Sequence, residues 1–453
     1  MVYPGPRAVA GGGDSEASDR RSARSDIPEF SVVAIGAESA GKTTFLAMMY
    51  EMLCVDPNGE RGYHISTDLA SASLLNQRAD QIRRPGNVWP QSTMGRLTPF
   101  EFDFQMRVGG GPRGILRLRY VDYPGDLLED PEAGNEAVRR ALETEIAKAS
   151  ALLVVIDGYL VLGLMQQDQR RIELLHRKLR AVVQRVQHGQ SGKNPRALAP
   201  LQVLVTKWDM LADEGHSLQE VRRKLIADRF FRGMVATRMP DGQSDHLPPG
   251  RVRLIPVSVL GKGAVERLER GTADGSGVHR FAVVKRAGFR PRPINLDVPF
   301  AAILPDLLDQ VLAALSPRQR RRVRRAERWR RLRANGRWFE RHAGRVLLGT
   351  QQVLAVVLDR LLPGSSALAG PVLNLLGMWM ARRAGEPMEL AGDRSGREGA
   401  RGDYAPPVTL EAQAALLQRF ATRVESFERA YEGWDAMQGY RVFQKRPERQ
   451  GAR

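Results

Sequence analysis

Eight residues near the start of the chain, Gly36 to Thr43, read GAESAGKT and constrain what the rest can fold into. Glycine, four residues, glycine, lysine and threonine is the P-loop spacing. An apolar run, Ser31 to Ile35, precedes the loop, and Thr44 to Met49 continues beyond it. The loop therefore leaves a buried strand and opens a helix, the setting that separates a P-loop from a chance glycine-rich turn. Gly36 and Gly41 let the backbone turn tightly. Together with Glu38, Ser39, Ala40 and Thr44 they expose a run of N–H donors, an anion-binding nest on a helix N-terminus. Lys42 can reach the β- and γ-phosphates of a nucleoside triphosphate, and the Thr43 hydroxyl can coordinate Mg²⁺.

Downstream, strand patterns alternate with helical ones. A helix over 42–53 and a polar helical stretch over 66–84 come first. Two alternating runs, Leu97–Val108 and Gly114–Val121, flank Gly109 to Pro112 and read as a β-hairpin. The second runs into Asp122-Tyr123-Pro124-Gly125. Then follow a helix over 135–148, a strand over 151–157, one long helix over 160–187 and a strand over 201–206 ending in Lys207-Trp208-Asp209. A helix over 218–228, an irregular insert, a strand over 251–257 and a helix over 299–315 complete this part. The alternation predicts an α/β fold: a mostly parallel sheet with helices on both faces, ligands at the carboxyl ends of the strands, and an α-helical C-terminal extension.

Length and charge set outer bounds. A chain of 453 residues buries a substantial core. Its formal charge of +18, mostly arginine, points to an anionic partner. Cys54 stands alone, so no intrachain disulfide forms and a reducing compartment fits. Residues 1–28 have no apolar h-region and read as a disordered arm, not a signal peptide. The expectation is a cytoplasmic protein.

These motifs resemble those of the translation-factor-like, Ras-like (TRAFAC) class of P-loop GTPases. GAESAGKT stands at the first motif, DYPG at the DxxG of the third, TKWD at the NKxD of the fourth, and PVSVLG at the short fifth. The long first interval, the Trp89-Pro90 ahead of a switch threonine and the large C-terminal part are most similar to bacterial double-GTPase domains of GTPase-associated conflict systems. The resemblance covers about 29–316 and implies GTP/GDP and Mg²⁺ as ligands. It implies that Asp122 holds the metal through water and that the Gly125 N–H meets the γ-phosphate. Asp209 would accept two hydrogen bonds from guanine, a donor pair that adenine lacks. The Lys207 stem would pack along the base, and the Val259 N–H, beside Ser258, would meet the guanine O6. Thr93 is the expected switch threonine, with Ser92 and Thr98 as rivals. Asp126 stands where Ras-like enzymes carry the water-orienting glutamine, so slow hydrolysis is expected. Thr206 replaces the usual Asn, and Glu38 sits where small residues are usual, either near the γ-phosphate or pointing outward.

The C-terminal third divides into a basic and apolar segment over 317–384, a Gly/Pro-rich linker over 385–407, and a last helix with a basic tail over 408–453. Residues 318–345 are an arginine run with Trp329, Trp338 and Phe339 interleaved. Val346–Leu362 and the uncharged run Ser365–Ala381 read as an αα-hairpin. Packed soluble helices are the first expectation for that pair. A peripheral anchor through 318–383 on an anionic membrane surface, at its inner face, is the second, and a nucleic-acid surface ranks below it.

The sequence therefore predicts a GTP-hydrolysing switch in a multi-protein bacterial system, with an unidentified protein effector. Two alternatives stay open: a nucleotide-binding scaffold with little hydrolysis, and a P-loop ATPase whose basic extension binds lipid or nucleic acid.

Overall fold

The computed structural model describes residues 27–90, 97–108, 111–123, 125, 136–191, 199–239, 250–273, 279–333, 350–352, 354–358, 369–383 and 408–444. The expected N-terminal arm up to residue 26, the 385–407 linker and the tail after 444 lie outside these residues.

The core of the fold is a seven-stranded sheet in the order β2-β3-β4-β1-β5-β6-β7. Its strands are β1 (Glu29–Ile35), β2 (His64–Ser66), β3 (Thr98–Val108), β4 (Gly111–Asp122), β5 (Ala151–Ile156), β6 (Leu201–Val205) and β7 (Val252–Pro256). β4, β1, β5, β6 and β7 run parallel, while β2 and β3 add an antiparallel edge. The sequence pattern follows this division. β5, β6 and β7 are buried along their whole length, as strands covered on both faces must be. β3 alternates instead: Phe100, Phe102, Phe104 and Met106 are buried, while Pro99, Glu101 and Arg107 are exposed.

Helices cover both faces. On one lie α1 (Lys42–Cys54) and α2 (Leu69–Arg83); on the other lie α3 (Glu136–Lys148), α4 (Gly158–Gln166), α5 (Gln169–Ser191), α6 (Trp208–Asp213), α7 (Leu218–Ala227) and α8 (Arg229–Ala236). The single long helix expected over 160–187 is two helices. Gln167 takes a left-handed φ of 60° and ends α4. The Asp168 carboxylate then accepts from the Arg171 N–H at 3.2 Å and starts α5. The insert expected to be irregular contains α8, started by Asp228, whose carboxylate accepts from the N–H groups of Phe230 and Phe231.

After β7, an antiparallel hairpin forms a separate two-stranded sheet, β8 (Val265–Ala273) and β9 (His279–Lys285). The helices α9 (Val298–Ala314), α10 (Pro317–Arg333), α11 (Ala369–Arg383), α12 (Val408–Ala430) and α13 (Ala436–Gln444) follow. They join the same two cores. Phe300 of α9, Leu376 of α11 and Phe420 of α12 pack in one cluster with Phe45 and Phe102. Tyr440 of α13 packs in the other with Trp208 and Phe231. Between α12 and α13 the chain rounds the β7 edge, where the Leu254 N–H donates to the Trp434 carbonyl at 2.7 Å. Arg253 is buried with Asp306 at 2.7 Å and Glu428 at 2.9 Å. Burial works against its charge, but the two carboxylates outweigh that and hold it above the usual guanidinium range.

The apolar run expected to meet either a neighbouring helix or a lipid surface meets helices. Val372, Leu373, Leu375, Leu376, Trp379 and Met380 of α11 are buried. No helix among the described residues is long and apolar enough to cross a membrane.

Candidate functional site

The polar motifs converge where β1, β4, β5, β6 and β7 end, the carboxyl edge at which parallel sheets open a ligand crevice. Each is set there by the strand before it.

The loop after β1 is shaped by close approach. A Cβ on Gly36 would stand 2.6 Å from the Val155 carbonyl oxygen, so only glycine fits. Gly41 takes φ 92°, a left-handed conformation that suits glycine, and leads into α1. Ser39 is exposed at φ 63°. The Lys42 side chain is buried, and its ammonium donates to the Gly36 carbonyl and, at 3.0 Å, to that of Ala37. It therefore lies folded within the loop, its charge held by the loop's own oxygens. From outside, Lys178 of α5 donates to the Glu38 carbonyl at 2.8 Å and pins the rim. Ala40 is buried, while Thr43 and Thr44 are half-buried in the first turn of α1.

Where α1 meets the end of β4, the Thr43 hydroxyl donates to an Asp122 carboxylate oxygen at 3.4 Å. Asp122 is the last residue of β4 and is 1% exposed. A hydroxyl and a carboxylate are hard oxygen donors of the kind Mg²⁺ takes. Gly125 lies against the loop itself. A Cβ there would stand 2.3 Å from the Glu38 nitrogen and 2.6 Å from the Ala37 carbonyl carbon. Thr93, Ser92 and Asp126 lie outside the described residues. Thr98, the rival to Thr93, begins β3 in register with Asp122.

At the other end, three strands are laced together. The Thr206 hydroxyl lies 2.8 Å from the Ala40 carbonyl and 3.1 Å from that of Ile156, so its proton joins the loop after β6 to the loop after β1. This is how a threonine serves where an asparagine was expected. Lys207 has φ 50°, and its ammonium donates to Asp157 at 2.7 Å. The other Asp157 oxygen accepts from the Tyr159 N–H at 2.9 Å and caps α4. Gly158 has no room for a side chain, since a Cβ would stand 1.9 Å from the Thr206 carbonyl oxygen. Asp209 is 4% exposed and accepts from the Ser258 hydroxyl at 2.5 Å. The Ser258 oxygen in turn accepts from the Gly261 N–H at 2.9 Å. Burial pushes the Asp209 carboxyl above its usual range, while the Ser258 hydrogen bond pulls it down. Val259 is half-buried beside Ser258.

The structure thus brings together Gly36 to Thr44, Asp122, Gly125, Lys207, Asp209, Ser258 and Val259. Reading the sequence missed Asp157, Gly158 and Lys178. The first two had a signal, an acid and a glycine closing an apolar strand, the same form as Asp122 closing β4. Lys178 had none, because it is one of many basic residues on α5.

Among solved structures, the chain aligns with the signal recognition particle receptor SRb-GTP/SRX complex from Chaetomium thermophilum. That alignment has 17% identity and a TM-score of 0.30, and covers 52% of this chain and 93% of that one. A second alignment is with the S. cerevisiae Ski7 GTPase-like domain bound to GTP, at 15% identity and a TM-score of 0.29, covering 53% of this chain and 44% of that one. No curated protein matches the chain in sequence. Residues 31–250 match the family model Double-GTPase 2. That stretch runs from β1 through the P-loop, Asp122 and Asp209 to just before β7, and is similar to P-loop GTPase domains of the double-GTPase type.

Proposed function

We propose that the chain binds GTP at this site, hydrolyses it to GDP and phosphate, and uses the two bound states as a switch in a multi-protein bacterial system in the cytoplasm. The observation that carries this reading is the seat of Gly125 on the backbone of Ala37 and Glu38. A γ-phosphate bound in the nest would lie beside that glycine, so its loss on hydrolysis would be felt by the loop after β4.

The roles follow from position. Lys42 turns from the Gly36 and Ala37 carbonyls to the β- and γ-phosphates, and the N–H groups of Gly36 to Thr44 cradle them. Thr43, Asp122 and the switch threonine, Thr93, would hold Mg²⁺, which when bound neutralises charge on the phosphates. The Gly125 N–H donates to the γ-phosphate, and Asp126, by its place after Gly125 in the motif, would position the water. Water attacks the γ-phosphorus, the bond to the bridging oxygen breaks, and GDP leaves with that electron pair. Asp209 accepts from guanine N1–H and the exocyclic amine, Lys207 covers the base, and the Val259 N–H meets O6. Ser258 and Asp157 hold Asp209 and Lys207 in place. A protein effector would read the loop that follows Gly125.

Single-turnover assays with radiolabelled GTP and ATP test the reading. Phosphate release from GTP and none from ATP is the expected result. Tight GTP binding without release would leave a nucleotide-binding scaffold. Equal use of ATP would replace the guanine reading with an ATPase.

A further inference from the structure

The arginines of this chain are used in two ways. Several near the sheet are matched with acids: Arg117 bonds Asp103, Arg253 bonds Asp306 and Glu428, and Arg423 bonds Asp297. Even Arg382 and Arg383, which close α11, reach Glu425 and Asp309. The start of α10 departs from this. Arg318, Arg321, Arg322, Arg324 and Arg325 are exposed, and none has a carboxylate partner among the described residues. The segment 317–325 reads PRQRRRVRR and holds no acid at all. Arginines three and four apart on a helix repel one another, so this spacing works against the helix that carries it. A polyanion would relieve that repulsion.

Four observations choose the polyanion and the way it is held. Every cation in α10 is arginine, whose planar fork matches phosphate oxygens in pairs. The one apolar side chain in 318–325, Val323, is buried against the core, so this described stretch offers no apolar side chain to a bilayer. The apolar run of α11, which a membrane anchor would need, is buried as well. Gln319, the side chain best suited to read a base edge, is occupied in accepting from the Ser316 N–H at 2.8 Å. We propose that the exposed arginine face of α10 docks the phosphate backbone of a nucleic acid without regard to sequence, a role separate from the nucleotide site.

The test is fluorescence anisotropy of a short mixed-sequence duplex with the full chain across a salt series. Each phosphate contact contributes about 0.9 to the slope of log affinity against log salt. Replacing the five arginines together (Arg318→Gln, Arg321→Gln, Arg322→Gln, Arg324→Gln, Arg325→Gln) is expected to lower that slope by about 4.5. Guanine-nucleotide affinity serves as a control and should not move, while the melting temperature should not fall, since the substitutions remove like-charge repulsion. If the quintuple variant does not fold, Arg321→Gln with Arg325→Gln is expected to lower the slope by about 2. Absence of duplex binding by the parent chain, or equal slopes in parent and variant, would overturn the proposal. So would binding to phosphatidylserine vesicles in place of the duplex, which would return the surface to a membrane role.

Discussion

The Lys285 ammonium sits 4.3 Å from the centre of the Trp89 ring, at the point where β9 meets the segment leading to residues 91–96. It also donates to the carbonyls of Gln81 at 3.1 Å, Ile82 at 2.8 Å and Val88 at 2.5 Å, closing the C-terminal end of α2. The Trp89 indole N–H donates to the Val283 carbonyl at 2.8 Å, and Gly86 and Lys285 exchange backbone hydrogen bonds at 3.0 and 3.1 Å. The β8–β9 hairpin leaves the fold shortly after Ser258 and Gly261 and returns at Arg286, whose N–H donates to the Ala264 carbonyl at 2.9 Å. One hairpin therefore joins the loop that holds Asp209 to the stretch just ahead of Thr93.

Replacing that ammonium tests the joint. Lys285→Met would take the ammonium from the carbonyls of Gln81, Ile82 and Val88, of which the bond to Ile82 is buried, at about 1–3 kcal/mol for a buried group left without its donor. Burial pushes Lys285 from its ordinary 10.5 down to about 8. Between those values the unfolded chain binds the proton and the folded chain does not, so stability contributed by this group rises with pH. Urea denaturation below and above that window should show the rise in the parent and not in Lys285→Met. A variant as stable as the parent, with the same pH trend, would remove the hairpin from this role.

The charge at the phosphate nest is a second point of test. Lys42→Ala takes away the one ammonium buried in the loop, and a hydrogen bond to a charged group is worth about 1.5–3 kcal/mol. Affinity for a non-hydrolysable GTP analogue is expected to fall by about 10- to 100-fold. Titration calorimetry measures it, and unchanged affinity would remove the P-loop from the binding site.

In the proposed site, base choice would rest on Asp209. In Asp209→Asn one acceptor oxygen becomes an amide donor, which mismatches guanine and suits the carbonyl that xanthine carries at the same ring position. Preference should move from GTP toward XTP by about 1–3 kcal/mol. The same carboxylate predicts a pH dependence. Its range is raised by burial, so on acidification it protonates earlier than an ordinary aspartate near about 4. Affinity for GTP should therefore begin to fall between neutrality and that value, and the loss should be absent in Asp209→Asn. Adenine nucleotide binding as tight as guanine would count against both predictions.

Most of this site was legible because it lies at strand ends, where one residue type carries one job. GAESAGKT, Asp122 and Asp209 could be placed by reading the apolar run before each of them. The pieces that were not legible depend on distant partners. Nothing near Lys285 in the sequence marks it as a cap for α2, since Gln81 and Val88 lie about two hundred positions away. The break at Gln167 was hidden because Leu160 to Gln187 keeps a helical apolar pattern across it, and only the left-handed φ of Gln167 and the Asp168 cap reveal it. The hairpin β8–β9 carries charged residues on both strands and lies apart from the main sheet, so its alternation was faint. Whether the apolar run of α11 meets lipid or protein could not be read from hydropathy alone, because either environment takes the same side chains.

The helices after residue 316 complete the core, which sets the last prediction. Phe420 of α12 stands edge-on to Tyr63 at 5.4 Å and to Phe104, also at 5.4 Å. Leu417, Val424 and Phe427 of the same helix are buried with it, and Glu428 is one of the two acids that neutralise the buried Arg253. Burying a large apolar side chain contributes about 1.5–3 kcal/mol. Four of them would supply about 6–12 kcal/mol by that measure, a share comparable with the whole stability of a typical domain, about 5–15 kcal/mol. A chain ending at 316 would expose Tyr63 and Phe104 to water and leave Arg253 with Asp306 alone. It is expected to lose its cooperative urea transition and its near-ultraviolet circular dichroism, and with them guanine-nucleotide binding. Should a 1–316 chain instead unfold cooperatively and bind GTP as the full chain does, the C-terminal helices would be an appendage, and the contacts of Phe420 would contribute little to the fold.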